Sequence, residues 1–410
     1  MAKIRILRVQ SRICVGGPSL NAIYLSAGLP ATEYRTLLVG GKLEPGEMSM
    51  ASKAIEEGVA LHELPEMGRS IQWFDDLKAL WKLMRLIRHF KPHIVHTHTA
   101  KAGALGRIAA FLCRVPLRVH TFHGHVFHGY FSPSKSHLFV WLERCLAWIS
   151  HRVVVISPRQ FEEIVEDYKV VAAKKTRIVR LGFHLEHMVH GEPGRFRSSL
   201  GLPPETFLAG IVARLVPIKN HVLLLEGIAV WANLQQGFSA GDIQFLIIGD
   251  GELRGELEKK VQALGIESWV RFVGWRRDLA DIYADLNLNI LVSKNEGTPV
   301  TLIEGLACGV PILATDVGGI KDFADERCGS ILPATADANA LGAALLHHFD
   351  PVNRIDRLDA ELQQEIFEKF HVNRLVSDMD QLYREALSSK VLAATKAESE
   401  LPEILTNRVV

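Results

Sequence analysis

Residues 293 to 304 read Ser293-Lys294-Asn295-Glu296-Gly297-Thr298-Pro299-Val300-Thr301-Leu302-Ile303-Glu304. They follow an apolar run, Leu286–Val292, that reads as a buried strand, and they open a helix. Thr298 is placed to cap that helix. Pro299 is placed at its first position, where a missing N–H costs nothing. Gly309 closes the helix, with Pro311 beyond it. A helix that starts at the carboxyl end of a parallel strand turns unpaired N–H groups and the positive end of its dipole toward a ligand, which suits an anion. Glu296 stands just before the helix start and Glu304 about two turns in. A carboxylate accepts two hydrogen bonds at once, so each suits a pair of hydroxyls. A nucleotide sugar has that layout, with hydroxyls on ribose and hexose and a diphosphate between them.

The same rhythm continues on both sides. Phe207–Val212, Ile243–Gly249, Val270–Val273 and Pro311–Thr315 read as short strands, with helices at Asn220–Trp231 and Glu252–Leu264. Alternation of this kind marks a parallel sheet covered by helices. Arg214 and Lys219 stand in the loop after Phe207–Val212, at the sheet edge where such folds hold phosphate. They supply the countercharge without a metal.

The first half repeats the pattern. Its strands are Ile4–Val9, Thr36–Val39, Ala60–Leu64, Ile94–Thr97, Arg118–Thr121 and Arg152–Ile156. Its clearest helix is Ile71–Phe90, with Trp73, Phe74, Leu77, Leu80, Trp81, Met84 and Ile87 at helical spacing and Lys78, Lys82, Arg85 and Arg88 on the other face. Between about 181 and 206 the rhythm breaks at turn signals, among them Gly191-Glu192-Pro193-Gly194 and Leu202-Pro203-Pro204. The expected fold is therefore α/β, with two doubly wound Rossmann-like domains, 1–185 and 186–370. A helix at 371–390 and a frayed tail at 391–410 complete the chain.

A length of 410 residues fits two domains, and 48% hydrophobic against 23% charged residues excludes whole-chain disorder. No uninterrupted apolar run approaches the roughly 18 residues of a membrane span, and Met1–Leu7 reads as a first strand rather than a leader peptide. Five scattered cysteines, with no Cys-x-x-Cys pair, argue against a zinc ribbon or disulfide framework and make a reducing cytoplasm the simplest compartment. The net charge of +1 conceals an asymmetry. Residues 1–185 hold 26 Lys and Arg against 14 Asp and Glu; residues 186–410 hold 21 against 32. Unlike partners for the two halves are expected.

The stretch from Gly274 to Gly319, with Glu296 and Glu304 separated by seven residues and Gly318-Gly319 beyond, resembles the retaining glycosyltransferases of family 4. So do the Arg214 and Lys219 pair, the Gly16-Gly17-Pro18-Ser19 loop, the segment around Thr121-Phe122-His123-Gly124 and the closing segment from Phe367 to Leu387. The resemblance spans roughly residues 3–388. It implies a GT-B fold, with two domains facing each other across a cleft and the last helix crossing back onto the first. Arg214 and Lys219 would bind the donor diphosphate. Glu304 would hold the ribose and Glu296 the transferred sugar. Gly16, Gly17, Gly274, Gly297, Thr298, Pro299 and Val300 would line the donor. His123 would sit beside the reacting sugar. The implied catalytic set is His123, Arg214, Lys219 and Glu296, without metal or cofactor.

Other signals compete. His93, His96, His98, His120, His123, His125 and His128 are spaced like metal ligands, but no cysteine or carboxylate interleaves with them. Asp378-Met379-Asp380 matches a metal-binding pattern but lies in an amphipathic helix. Gly249-Asp250-Gly251-Glu252 lacks the third glycine of a dinucleotide fingerprint. The basic face at Lys78 to Arg88 is either solvated or interfacial with anionic lipid, and the aromatic stretch Phe127–Pro133 either meets an acceptor lipid or caps the cleft. The expected function is transfer of a hexose from a nucleotide-diphosphate sugar, with UDP favoured, to a hydroxyl in cell-surface polysaccharide or lipid-linked glycan assembly. The expected setting is the cytoplasm, including the inner face of the membrane. A sugar-nucleotide epimerase and a non-catalytic sugar-nucleotide scaffold are the alternatives. Nucleic acid is not an expected partner.

Overall fold

The computed structural model describes residues 3–44, 47–68, 70–124, 133–235 and 237–399, apart from the side chains of 133–135 and 390–399. Two parallel sheets organise it. The first joins β1 (Ile4–Gln10), β2 (Tyr34–Gly41), β3 (Leu61–Leu64), β4 (Ile94–His98), β5 (Leu117–Phe122), β6 (Arg152–Val155) and β7 (Thr176–Ile178) in the order β3-β2-β1-β4-β5-β6-β7. The second joins β8 (Phe207–Val212), β9 (Ile243–Ile248), β10 (Val270–Gly274), β11 (Leu288–Leu291), β12 (Ile312–Thr315) and β13 (Gly329–Leu332) in the order β10-β9-β8-β11-β12-β13.

Strands such as β4 and β9 are buried along their whole length, because helices cover both faces of each sheet. Each sheet reverses its winding direction once, between β1 and β4 and between β8 and β11. Ligands of doubly wound sheets sit beyond the carboxyl ends of the strands at such points. In the second lobe Trp231 anchors the core, meeting Phe245, Trp269 and Phe349 edge to face.

The chain crosses back once. After the helix Ala360–Phe370, His371 pairs with Phe183 of the segment that links the lobes: Phe183 donates its N–H to the Phe370 carbonyl at 2.8 Å, and Val372 donates to the Phe183 carbonyl at 3.0 Å. The helix Val372–Ser399 then enters the core of the first lobe, where Leu375, Met379, Leu382 and Tyr383 pack with Ile6, Leu25 and Tyr34. It runs on through residues expected to be tail; 400–410 lie outside the described residues.

Two strands were not expected from the sequence, β7 and β13. Each is the last strand of its sheet, three or four residues long, and neither carries the continuous apolar run of a central strand. The helix expected at Ile71–Phe90 spans Trp73–Phe90, and its buried face is Ala79, Leu83 and Ile87. Trp73, Phe74, Leu77 and Trp81 are exposed instead.

Candidate active site

A cleft of about 390 Å³ opens between the lobes. From the first lobe, the turn after β1 brings Gly16 and Gly17 to it, and the end of β5 brings His123. From the second, the loop after β8 brings Arg214 and Lys219, and the loop after β11 brings Glu296 to Val300, with Glu304 in the helix Val300–Ala307. β1, β8 and β11 flank the two reversal points, and β5, which leads to His123, is the next strand beyond β4. The lobes touch at small residues. A Cβ on Gly297 would lie 2.4 Å from the His123 carbonyl oxygen, and one on Gly17 would lie 3.3 Å from Val300 Cγ2.

Lys219 Nζ donates to Glu296 Oε1 at 2.5 Å, and Ser293 Oγ donates to the same oxygen at 2.6 Å. Glu296 is therefore fixed on one oxygen by a cation and a hydroxyl. Arg214 is exposed, and no carboxylate among the described residues pairs with it. Thr298 does not cap the helix. Pro299, with ψ 112°, is the last extended residue, so the helix begins at Val300 and the Thr298 hydroxyl is buried without a partner among the described residues. A buried polar atom with no partner is costly unless a ligand satisfies it. The first turn of the helix adds N–H groups that have no intrahelical acceptor.

Glu304 is buried, and the one side-chain donor to it among the described residues is the Tyr283 hydroxyl, 3.0 Å from Oε2. Burial raises its carboxyl from the usual 4.5 to about 7, and the Tyr283 bond opposes the rise. His123 is driven the other way: burial lowers its imidazole to about 3, so the ring is neutral. Its Nε2 lies 2.8 Å from His98 Nδ1, and its Nδ1 is buried with no partner among the described residues.

Eleven of the sequence-selected residues thus face one cleft: Gly16, Gly17, His123, Arg214, Lys219, Glu296, Gly297, Thr298, Pro299, Val300 and Glu304. Gly274 is not among the lining residues. It stands behind the wall, its carbonyl accepting from Gly249 N–H at 2.8 Å, and its neighbours Trp275 and Arg276 face the ligand space. Arg276 and Ser293 were missed in the sequence. Each adjoins a selected segment at the carboxyl end of a strand, which is the signal that could have found them. Among the described residues no three His, Cys, Asp or Glu side chains gather to hold a metal. His125, His128 and the stretch Phe127–Ser132 lie outside the described residues. Asp378 pairs with Arg374 at 2.7 Å and Asp380 with Arg384 at 2.9 Å, as surface helix pairs do.

Residues 16–182 match the family described as glycosyl transferase 4-like domain, and residues 206–350 the family described as glycosyl transferases group 1. The chain belongs to the group 1 glycosyltransferases. Among its relatives is the UDP-Gal:alpha-D-GlcNAc-diphosphoundecaprenol alpha-1,3-galactosyltransferase of Escherichia coli, 26% identical over 95% of this chain and 99% of that protein. Another is the capsular polysaccharide biosynthesis glycosyltransferase CapM of Staphylococcus aureus, 27% identical over 64% of this chain and 68% of that one. Among solved structures, Anabaena HepE in complex with UDP superposes with a TM-score of 0.76 at 18% identity, covering 93% of this chain and all of that one. The sucrose-phosphate synthase of Thermosynechococcus elongatus gives 0.74 at 21% identity, over 94% of this glycosyltransferase and all of that chain. At these identities the structures establish the two-lobed GT-B fold of this glycosyltransferase.

Proposed function

We propose that this glycosyltransferase moves a hexose from a UDP-sugar to an acceptor hydroxyl, with retention at the anomeric carbon and without a metal. The observation that carries the reading is the grouping in one cleft of Arg214, Lys219 and the Val300 helix start with Glu296 on one side and Glu304 on the other. Two cations and a helix start suit a diphosphate; two carboxylates suit hydroxyls at either end of a nucleotide sugar. In this reading Glu304 accepts from the ribose, Glu296 from the hexose, and the Thr298 hydroxyl and the Gly16, Gly17 and Gly297 backbone line the donor. As the glycosidic bond lengthens, charge grows on the diphosphate and Arg214 and Lys219 stabilise it. The leaving diphosphate oxygen takes the proton of the attacking hydroxyl on the same face, so no protein nucleophile is required. Neutral His123 lies on the sugar side of the cleft.

The acceptor reading follows from the first lobe. Trp73 and Phe74 are 83% and 85% exposed, and Leu77, Trp81, Trp141 and Trp148 are exposed as well. Lys78, Lys82, Arg85 and Arg88 share the first of these helices. In the structure these basic residues are exposed beside the aromatics of that helix, not opposite them, with Arg85 over the Trp81 ring, and such a mixture suits an anionic membrane surface. No helix among the described residues is long and apolar enough to cross a membrane. We place the protein at the cytoplasmic face, acting on a lipid-linked glycan in surface polysaccharide assembly, as the names of the Escherichia coli and Staphylococcus aureus relatives suggest.

The test is turnover with UDP-glucose, UDP-galactose and UDP-N-acetylglucosamine, with and without a lipid-diphosphate glycan acceptor. Free UDP that appears only with acceptor, and a product whose anomeric coupling keeps the donor configuration, are expected. An isomerised nucleotide sugar without acceptor overturns the reading in favour of epimerisation. Arg214→Ala should lower kcat about 100-fold or more while the melting temperature stays within a few degrees, since the guanidinium pairs with no carboxylate among the described residues.

A further inference from the structure

Arg8, in the middle of β1, is fully buried, and no ion pair to it is found among the described residues. A guanidinium only donates, and it keeps its charge. Its Nη1 lies 2.9 Å from His96 Nδ1, 3.3 Å from the Tyr383 hydroxyl and 3.5 Å from His98 Nε2, while its Nε donates to Ser26 Oγ at 3.0 Å. The last of the Nη1 distances is long for a hydrogen bond, but a fixed positive charge at that range in a dry interior still selects the lone-pair side of the ring. His98 therefore turns a lone pair on Nε2 toward Arg8 and carries its single proton on Nδ1. That proton points at His123 Nε2, 2.8 Å away. His123 Nε2 accepts, and the proton of the neutral His123 ring is left on Nδ1, the atom with no partner among the described residues.

We infer that Arg8 and His98 are positioning residues that set the tautomer of His123, so that His123 meets the donor sugar as an Nδ1–H hydrogen-bond donor and not as a base. The inference rests on the proposed placement of His123 beside that sugar. The rest of the network closes around it. His96 Nε2 donates to Thr121 Oγ1 at 2.7 Å, and the Tyr383 hydroxyl, from the crossing helix, lies 2.6 Å from His96 Nδ1. The groups that face His98 are Arg8, His96, His120 and His123; burial first, and these neighbours next, hold its imidazole well below the ordinary range, so it does not pick up a second proton. Immediately after His98, Thr99 holds φ +63°, where β-branched residues are rare, and Ser11 locks it through an N–H to Thr99 Oγ1 contact of 3.2 Å. The backbone that carries the His98 ring is thereby pinned.

The tautomers are read directly by long-range ¹H–¹⁵N correlation spectra of the unliganded, ¹⁵N-histidine-labelled protein at pH 7.5, with His98→Asn and His123→Gln assigning the signals. Both His98 and His123 are expected as Nδ1–H. His98→Asp offers only an acceptor and should move the His123 proton to Nε2; His98→Asn keeps an N–H near the place of Nδ1. In turnover, kcat of His98→Asn should exceed that of His98→Asp by about tenfold or more, with similar donor KM and melting temperature. A wild-type His123 found as Nε2–H, or equal kcat losses in the two variants, overturns the inference. If neither variant folds, the wild-type spectrum alone decides. A UDP-sugar titration separates the two levels: a wrong tautomer on a His123 that responds to the sugar defeats only the inference, and an expected tautomer on a His123 blind to every UDP-sugar defeats the placement beneath it.

Discussion

Glu304 works against the fold, and the proposed ribose contact is what it would serve. Its carboxyl titrates at about 7 when folded, against 4.5 for the exposed group. The folded state thus holds this proton more tightly than the unfolded chain does. The relative stabilisation is complete below pH 4.5 and is lost as pH rises through 7, a penalty of about 3 kcal/mol above that pH. Glu304→Gln removes the titration. It should raise the melting temperature at pH 8, leave it little changed at pH 4.5, and weaken UDP-sugar binding at pH 8 by about tenfold or more. Paired melts and a calorimetric titration check all three. The cleft residues that the sequence disclosed are those set by local spacing: Glu296 and Glu304 lie within one strand–loop–helix unit, and Arg214 and Lys219 within one loop. Arg8, His98 and Tyr383 were not legible as a group, because their contacts span 90 and 375 residues of chain. Thr298 misled for a local reason. The extended ψ of Pro299 moves the helix start past it and changes its hydroxyl from a cap into an unpaired cleft donor.

At the scale of elements, the helical period of residues 73–90 was plain but its orientation was not. The wide aromatic stripe attracts attention, yet the small face of Ala79, Leu83 and Ile87 is the one that allows close packing on the first lobe. Periodicity identifies a helix with two candidate inner faces and does not choose between them. The central strands were legible because burial on both sides favours apolar and β-branched residues, even where polar ones such as Arg8, His96 and His98 interrupt them; β7 and β13, at the sheet edges, are less buried and face less of that demand. The outward stripe gives a prediction of its own. Trp73→Glu with Phe74→Glu should abolish co-sedimentation with vesicles containing about a third anionic phospholipid. The same pair should shift stability by no more than about 0.5 kcal/mol and leave turnover of a short, water-soluble acceptor unchanged. Added salt at about 0.5 M should weaken vesicle binding of the unaltered protein, since the Lys78 to Arg88 contribution is screened.

At the scale of the whole molecule, the two halves differ in charge in a way their ligands do not mirror. The second lobe carries the acidic excess and yet lines the proposed anion site, so a few placed cations and one helix start outweigh a net negative charge at long range. The first lobe depends on the far end of the chain. Leu375, Met379, Leu382 and Tyr383 fill its core beside Ile6 and Leu25. A chain ended at Phe370 should therefore expose that apolar surface, bind a hydrophobic dye such as ANS and lose its cooperative melt.

The crossing at Phe183 and His371 gives the molecule the logic of an insertion. Everything between those residues leaves the first lobe and returns to it at one point, where the two backbone passes are already hydrogen-bonded to each other. Topologically the second lobe is one long loop spliced into the first, with its entry and exit side by side. A single contiguous segment, cut at two adjacent positions, carries the proposed donor machinery. Exchange of that one cassette between relatives of this architecture would alter the proposed donor half of the protein and leave the first lobe, proposed to meet the acceptor, closed and intact.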